Sequence, residues 1–129
     1  MERFVLIVND HEWSARSLES VLQAGGFHVE RVFSAEAAKR SVGLRIPDAL
    51  LVDIQLPDQS GPALCAELRA TGAIPPMTPI IVTTAGEGGR AARLAALKAG
   101  AWDFIGLPAD ADTLLLKLSN MVAVRVLGS

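Results

Sequence analysis

The sequence predicts an α/β fold, a doubly wound five-stranded parallel sheet built by a single domain over residues 1–129. Three observations lead there. Short apolar segments alternate five times with segments of helical periodicity, the pattern of successive β-α units. Three of the short segments are near-continuously apolar, as strands covered on both faces must be. Half of the residues are hydrophobic and 20% are charged, which argues against disorder, and the length suits one core but not two.

The elements follow in order. Phe4-Val5-Leu6-Ile7-Val8 is an unbroken, β-branched-rich strand ended by Asn9-Asp10-His11. Ala15, Leu18, Val21 and Leu22 recur at helical spacing, and Gly25-Gly26 stops that helix. Phe27 to Phe33 alternates and reads as the second strand. Ser34 is placed to cap a helix over Ala35 to Val42, with Glu36 in the first turn complementing the helix dipole. Ala49-Leu50-Leu51-Val52 is the third strand and runs straight into Asp53. Pro57 to Gly61 is a loop, and Pro62 opens a helix whose buried stripe lies between Leu64 and Leu68.

After an irregular Gly72–Pro79 segment, Ile80-Ile81-Val82-Thr83 forms the fourth strand. Gly86-Glu87-Gly88-Gly89 reads as a flexible loop. An Ala-rich helix over Arg90 to Ala99 is expected to turn Leu94 and Leu97 inward and to end at Gly100. Trp102 to Ile105 is the fifth strand, broken by Pro108. A last helix from Asp112 to Val124 carries Leu115, Leu118 and Val122 in its stripe, widened by Leu114 and Met121. Crossovers between parallel strands are right-handed by rule.

Composition excludes several functions. A net charge of -2 without clustered Lys or Arg offers no nucleic-acid surface. Cys65 is the only cysteine, which rules out an intramolecular disulfide and a four-cysteine zinc site; its apolar neighbours make it a buried free thiol. The first apolar run is too short for a signal sequence or a membrane span, so a cytoplasmic location is expected. Gly86-Glu87-Gly88-Gly89 has neither the spacing nor the Lys-Ser/Thr of a phosphate-binding loop, and no dinucleotide fingerprint occurs.

Open α/β sheets carry their sites at the carboxyl ends of strands. Here those ends bear Asn9-Asp10, Asp53 and Thr83-Thr84. Taken singly, either acid also reads as a strand-end residue that meets solvent or caps the next helix, Asp10 the one around Trp13. If the first and third strands are neighbours, the two acids converge, an arrangement that is costly unless a cation joins them. Mg²⁺ takes such oxygens. Alternation lets only one of Thr83 and Thr84 face the site. His11 and His28 read as isolated, with no shared His-Asp metal or hydrolase site expected.

At this point the chain resembles the bacterial response-regulator receiver family over nearly its whole length. The most specific block is Pro47-Asp48-Ala49-Leu50-Leu51-Val52-Asp53-Ile54-Gln55-Leu56-Pro57-Asp58-Gln59-Ser60-Gly61. Arg16, Leu18, Leu22 and Gly25 fit the first helix, Pro79 to Ala85 the fourth strand, and Ala99 to Ile105 the fifth. The resemblance implies a flavodoxin-like strand order 2-1-3-4-5, with Asp53 as phosphoacceptor and Thr84 and Phe104 at the switch positions. Asp10, Asp53 and the Gln55 backbone carbonyl would hold Mg²⁺ or Mn²⁺, with Asn9 at the outer position. A sensor histidine kinase or phosphotransfer protein would donate the phosphoryl group. Output, or a homodimer, would use the face made by the fourth helix, fifth strand and fifth helix.

Two residues depart from the family pattern. Asn9 stands where a second acid is usual, so metal binding should be weak. Leu107 stands where a Lys precedes the proline, and an apolar side chain cannot pair with the acceptor or its phosphoryl group. Two functions therefore stay open: a phosphoacceptor that relays a signal through a weakly coupled switch, and a divergent receiver that acts as a protein-binding module without regulated phosphorylation. A stand-alone regulator and one domain of a longer protein both fit the sequence.

Overall fold

The computed structural model describes residues 3–86 and 89–128, with side chains through Val124. Strands and helices alternate as β1 (Arg3–Val8), α1 (Glu12–Ala24), β2 (Phe27–Val32), α2 (Ala35–Leu44), β3 (Ala49–Asp53), α3 (Gly61–Ala70), β4 (Ile80–Thr84), α4 (Arg90–Lys98), β5 (Asp103–Gly106) and α5 (Ala111–Gly128). The sheet order is β2-β1-β3-β4-β5 and every pairing is parallel, as the resemblance implied.

The strand alternation splits the core into two layers. Leu6, Val8, Leu50, Val52, Ile80, Val82 and Phe104 face α2, α3 and α4, where they meet Val42, Leu64, Cys65, Leu68 and Ala96. Val5, Ile7, Leu51 and Ile81 face α1 and α5 and meet Leu18, Leu22, Leu114, Leu118 and Val122. Two helices therefore cover one face and three the other. The central strands are buried along their whole length, which is why their sequences run apolar without alternation.

Helix starts use the expected chemistry. The Ser34 hydroxyl accepts from the Ala37 N–H and that of Ser60 from the Ala63 N–H, both at 3.1 Å. Asp110 caps α5 by accepting from the Thr113 N–H at 2.9 Å, so this helix starts at Ala111, one residue before the expected start. The N-cap of α1 is His11 rather than Asp10, and its imidazole makes no capping bond.

One packing expectation is overturned. In α4 the buried residue is Ala96, whereas Leu94 and Leu97 are each 41% exposed. Ala96 joins the cluster containing Phe104 and Ala101. A small side chain there lets the helix backbone lie close to the sheet, which leaves the two leucines on its flank. Of the Gly86–Gly89 loop, Glu87 and Gly88 lie outside the described residues.

Candidate functional site

The carboxyl ends of β1 and β3 lie side by side, because β3 pairs directly with β1 through Val8↔Val52. Asp53 follows Val52 as the last residue of β3, and Asp10 lies two residues past the end of β1. The two acids come together as the adjacency of strands one and three required. Asp53 is 4% exposed, while Asp10 and His11 lie at the open side. One ligand atom from each of Asp10, His11 and Asp53 lies within 4.8 Å of the others.

Within this group His11 Nε2 is 3.5 Å from Asp53 Oδ2 and 3.8 Å from Asp10 Oδ1. Both separations exceed a normal hydrogen bond. Asp53 Oδ2 is in fact buried without a hydrogen-bond partner. Burial pushes the Asp53 carboxyl above its ordinary range; His11 pulls it back down, and the neighbouring Asp10 pushes it further up. Among the described residues, Asp53 has no Lys or Arg as an ion-pair partner. A buried carboxylate with an unsatisfied oxygen and an acid beside it is a site built for a cation. Oxygen donors of this kind suit Mg²⁺, so the residues present fit that ion.

His11 belongs to this group, contrary to its reading as isolated. The reason lies in the turn between β1 and α1. Asn9 is buried, and its side-chain Oδ1 accepts the His11 backbone N–H at 2.8 Å. That bond folds the chain back over the strand end, so simple alternation no longer sets the direction of residue 11. Asn9 thus has a structural task at the position expected to lie on the outer edge of the metal site.

The remaining candidate residues line up around the strand ends. Thr83 is the register partner of Asp53 and shares its face of the sheet; its Oγ1 is buried without a partner. The Thr84 Oγ1 accepts from the Gly86 N–H at 3.2 Å, which ties it to its own loop. Phe104 is buried, with the Arg93 guanidinium 5.5 Å from its ring centroid. Gln55 is exposed just past Asp53 and forms an isolated bridge with Ser60. Close approach at Gly61 holds this loop: its N–H donates to the Ile54 carbonyl at 2.8 Å, and a Cβ there would lie 2.2 Å from the Asp53 carbonyl oxygen. Glycine is the residue that such a contact admits.

Leu107 sits at the rim. It packs against the α1–α5 core cluster and lines, with Trp13, Leu18, Ala85 and Pro108, a cleft of about 350 Å³. The Leu107–Pro108 peptide bond is cis. An apolar residue at this position goes to the apolar cluster rather than to the acids.

A doubly wound sheet with an acidic pocket at the carboxyl ends of its first and third strands is the architecture of a receiver domain. The family profile for the response regulator receiver domain matches residues 5–119, and the chain belongs to that family. The response regulator MprA of Mycobacterium ulcerans is 32% identical over 118 residues, which cover 92% of this chain and 49% of that protein. The response regulator PleD of Caulobacter vibrioides is 28% identical over 129 residues, covering 98% of this chain and 27% of PleD. The chain thus spans about half or less of the length of these relatives. A crystal structure from Chloroflexus aurantiacus assigned as a response regulator superposes with a TM-score of 0.86 at 33% identity, covering 95% of this chain and 99% of that one. The CheY-like receiver domain protein of Methanospirillum hungatei, at 23% identity, shares the fold, with a TM-score of 0.89 over the full length of both chains. The protein is therefore a receiver domain of two-component signalling, a family whose general role is phosphorylation on an aspartate. Among the described residues, no helix is long and apolar enough to cross a membrane.

Proposed function

We propose that Asp53 is the phosphoacceptor of this receiver domain and that residues 1–129 work as a single cytoplasmic domain. The observation that carries this reading is the buried, unpartnered Asp53 Oδ2 at the end of β3, with Asp10 beside it. In the reaction an Asp53 carboxylate oxygen attacks the phosphorus of a phosphohistidine on a sensor kinase or phosphotransfer protein. The new O–P bond forms as the N–P bond breaks, and the released imidazole takes up a proton. Asp10, Asp53 and the Gln55 backbone carbonyl would hold Mg²⁺. When bound, that ion supplies positive charge for the transferring oxygens. Asn9 adds no charge to the pocket, so metal affinity is low.

Thr84 would donate its hydroxyl hydrogen, which the bond accepted from the Gly86 N–H leaves free, to the phosphoryl group; since Thr83 is the one that shares the face of Asp53, the end of β4 has to turn Thr84 toward the site. Phe104, already buried, reports the loop movement that follows. The domain itself performs no further chemistry on a substrate. Output passes through the face formed by α4, β5 and α5, where Leu94, Leu97 and Leu116 are exposed. A homodimer or an output domain would use this face.

Incubation with acetyl phosphate and Mg²⁺, followed by intact mass and peptide mapping, tests the reading. A single phosphoryl group on the peptide containing Asp53, absent from the Asp53→Ala variant, is expected. No label, even from a phosphohistidine donor protein, would leave the phosphorylation-independent binding module as the better description.

A further inference from the structure

We propose that His11 is a nitrogen ligand of the cation held by Asp10 and Asp53. The pocket is then a mixed imidazole–carboxylate site that takes later first-row cations such as Co²⁺ and Zn²⁺ in preference to Mg²⁺. This rests on the reading of the two acids as a metal site and adds the ligand that sets which metal binds.

Geometry is the first argument. Nε2 stands 3.5 Å from Asp53 Oδ2 and 3.8 Å from Asp10 Oδ1. These separations are too long for N–H···O hydrogen bonds. They are close to the edge of a coordination polyhedron: metal–nitrogen and metal–oxygen bonds of about 2.1 Å give a tetrahedral edge of about 3.4 Å. The three ligand atoms need only small movements to close on one ion.

The second argument is that His11 is held in place yet its ring has no other task. Its N–H donates to Asn9 Oδ1 at 2.8 Å, and its carbonyl accepts the Ala15 N–H at 2.9 Å in the first turn of α1. The backbone is thus fixed on both sides. As N-cap of α1, a Ser, Asp or Asn would spend its side chain on the helix; the imidazole makes no such bond and turns to the acids instead.

A third argument comes from the acceptor side. Asp53 Oδ2 is buried without a hydrogen-bond partner and opens into this group, so a ligand is missing from its environment. Two carboxylates and a neutral imidazole carry two negative charges, which one divalent cation balances. Leu107 contributes no charge in competition with it. Imidazole nitrogen favours the later first-row ions, whereas Mg²⁺ is served by oxygen ligands alone. The His11 side chain is largely exposed, so an ion can enter from solvent.

Pulsed electron paramagnetic resonance of the Mn²⁺-loaded full chain tests this directly, through coupling to an imidazole ¹⁴N nucleus. Coupling is expected in the wild type and in His28→Ala, and should vanish in His11→Ala. In parallel titrations, His11→Ala should weaken Zn²⁺ binding about tenfold or more while changing Mg²⁺ binding by less than about twofold. Binding that depends on Asp53 but shows no ¹⁴N coupling, with Zn²⁺ and Mg²⁺ weakened equally by His11→Ala, would overturn the proposal and leave the acidic metal site intact. Binding that survives Asp53→Ala, or no binding of any cation, would overturn both.

Discussion

The backbone N–H of Leu107 donates to the carbonyl oxygen of Thr84 at 2.7 Å, tying the segment after β5 to the end of β4. The backbone therefore brings position 107 to the rim of the site, while its side chain packs into the α1–α5 cluster. The receiver framework is complete here, but the chemical group at this position is not a cation. Phosphorylation at Asp53 would replace one carboxylate charge by a phosphoryl group of roughly -1.5 to -2 at neutral pH, a net addition of about one negative charge at most, and its three oxygens would need donors to reorder the loops. With Leu107 in place, a bound cation and Thr84 would be left to supply them.

Leu107→Lys should strengthen that response. A hydrogen bond to a charged group contributes about 1.5 kcal/mol, which corresponds to about tenfold in rate if it is made in the transition state. Time courses of acetyl phosphate labelling in the two proteins check this. An unchanged rate would mean that the missing cation does not limit transfer.

Asp53→Asn should stabilise the protein at neutral pH. Burial, the larger influence, raises the folded-state carboxyl above its ordinary value of 3.8 despite His11 nearby. The folded state then binds its proton more tightly than the unfolded one, so stability is greatest below 3.8 and falls as pH rises through the folded value. Removing the charge should therefore raise Tm at neutral pH. Thermal melts across pH should show the advantage shrinking to nothing in acid. An advantage that persisted in acid would point to another cause.

Gly61→Ala should be severely destabilising. Its Cβ would lie 2.2 Å from the Asp53 carbonyl oxygen, a backbone atom that cannot swing aside. A loss of about 3 kcal/mol or more is expected in urea unfolding. Gly43→Ala makes the contrast, since a Cβ there meets nothing within 4 Å. That change in α2 should be stabilising by about 0.5–1 kcal/mol. Similar effects from both would count against the tight contact behind Asp53.

Asp58→Ala should loosen the start of α2. The Asp58 carboxylate accepts from the Ala35 N–H at 2.9 Å and the Glu36 N–H at 3.0 Å, joining the β3–α3 loop to that helix. These two bonds hold the carboxyl below its ordinary value of 3.8. The contribution is therefore present above 3.8 and lost as pH falls through the lower folded value. Hydrogen exchange at Ala35 and Glu36 should accelerate in the variant at neutral pH, with the difference closing in acid. Equal exchange at neutral pH would show that the clamp is idle.

Much of this was legible in the sequence because burial leaves a direct mark on strands. β1, β3 and β4 lie under helices on both faces, so their apolar runs could be read without alternation. The strand ends then gave Asp10 and Asp53. Reading failed where a turn or a small residue decides the packing. Leu94 and Leu97 fit a helical stripe, but α4 docks through Ala96, and periodicity cannot weigh one alanine against two leucines. His11 follows Asp10 and would alternate away from it in an extended chain. The Asn9 side-chain bond to the His11 N–H turns it back, and no periodic signal encodes that bond. Asn and Asp side chains do favour such local turns, which is the one cue position 9 offered.

The most direct measurement of the central claim is site-resolved labelling of the wild-type chain with acetyl phosphate and Mg²⁺, coupled to NMR of the same sample. The expected result is slow addition of one phosphoryl group at Asp53, with shifts near Thr84 that fade before Phe104 and α4. Failure to label Asp53 under any phosphodonor would contradict its role as acceptor. Full labelling with large shifts from Thr84 through Phe104 would contradict the weak coupling assigned to Leu107.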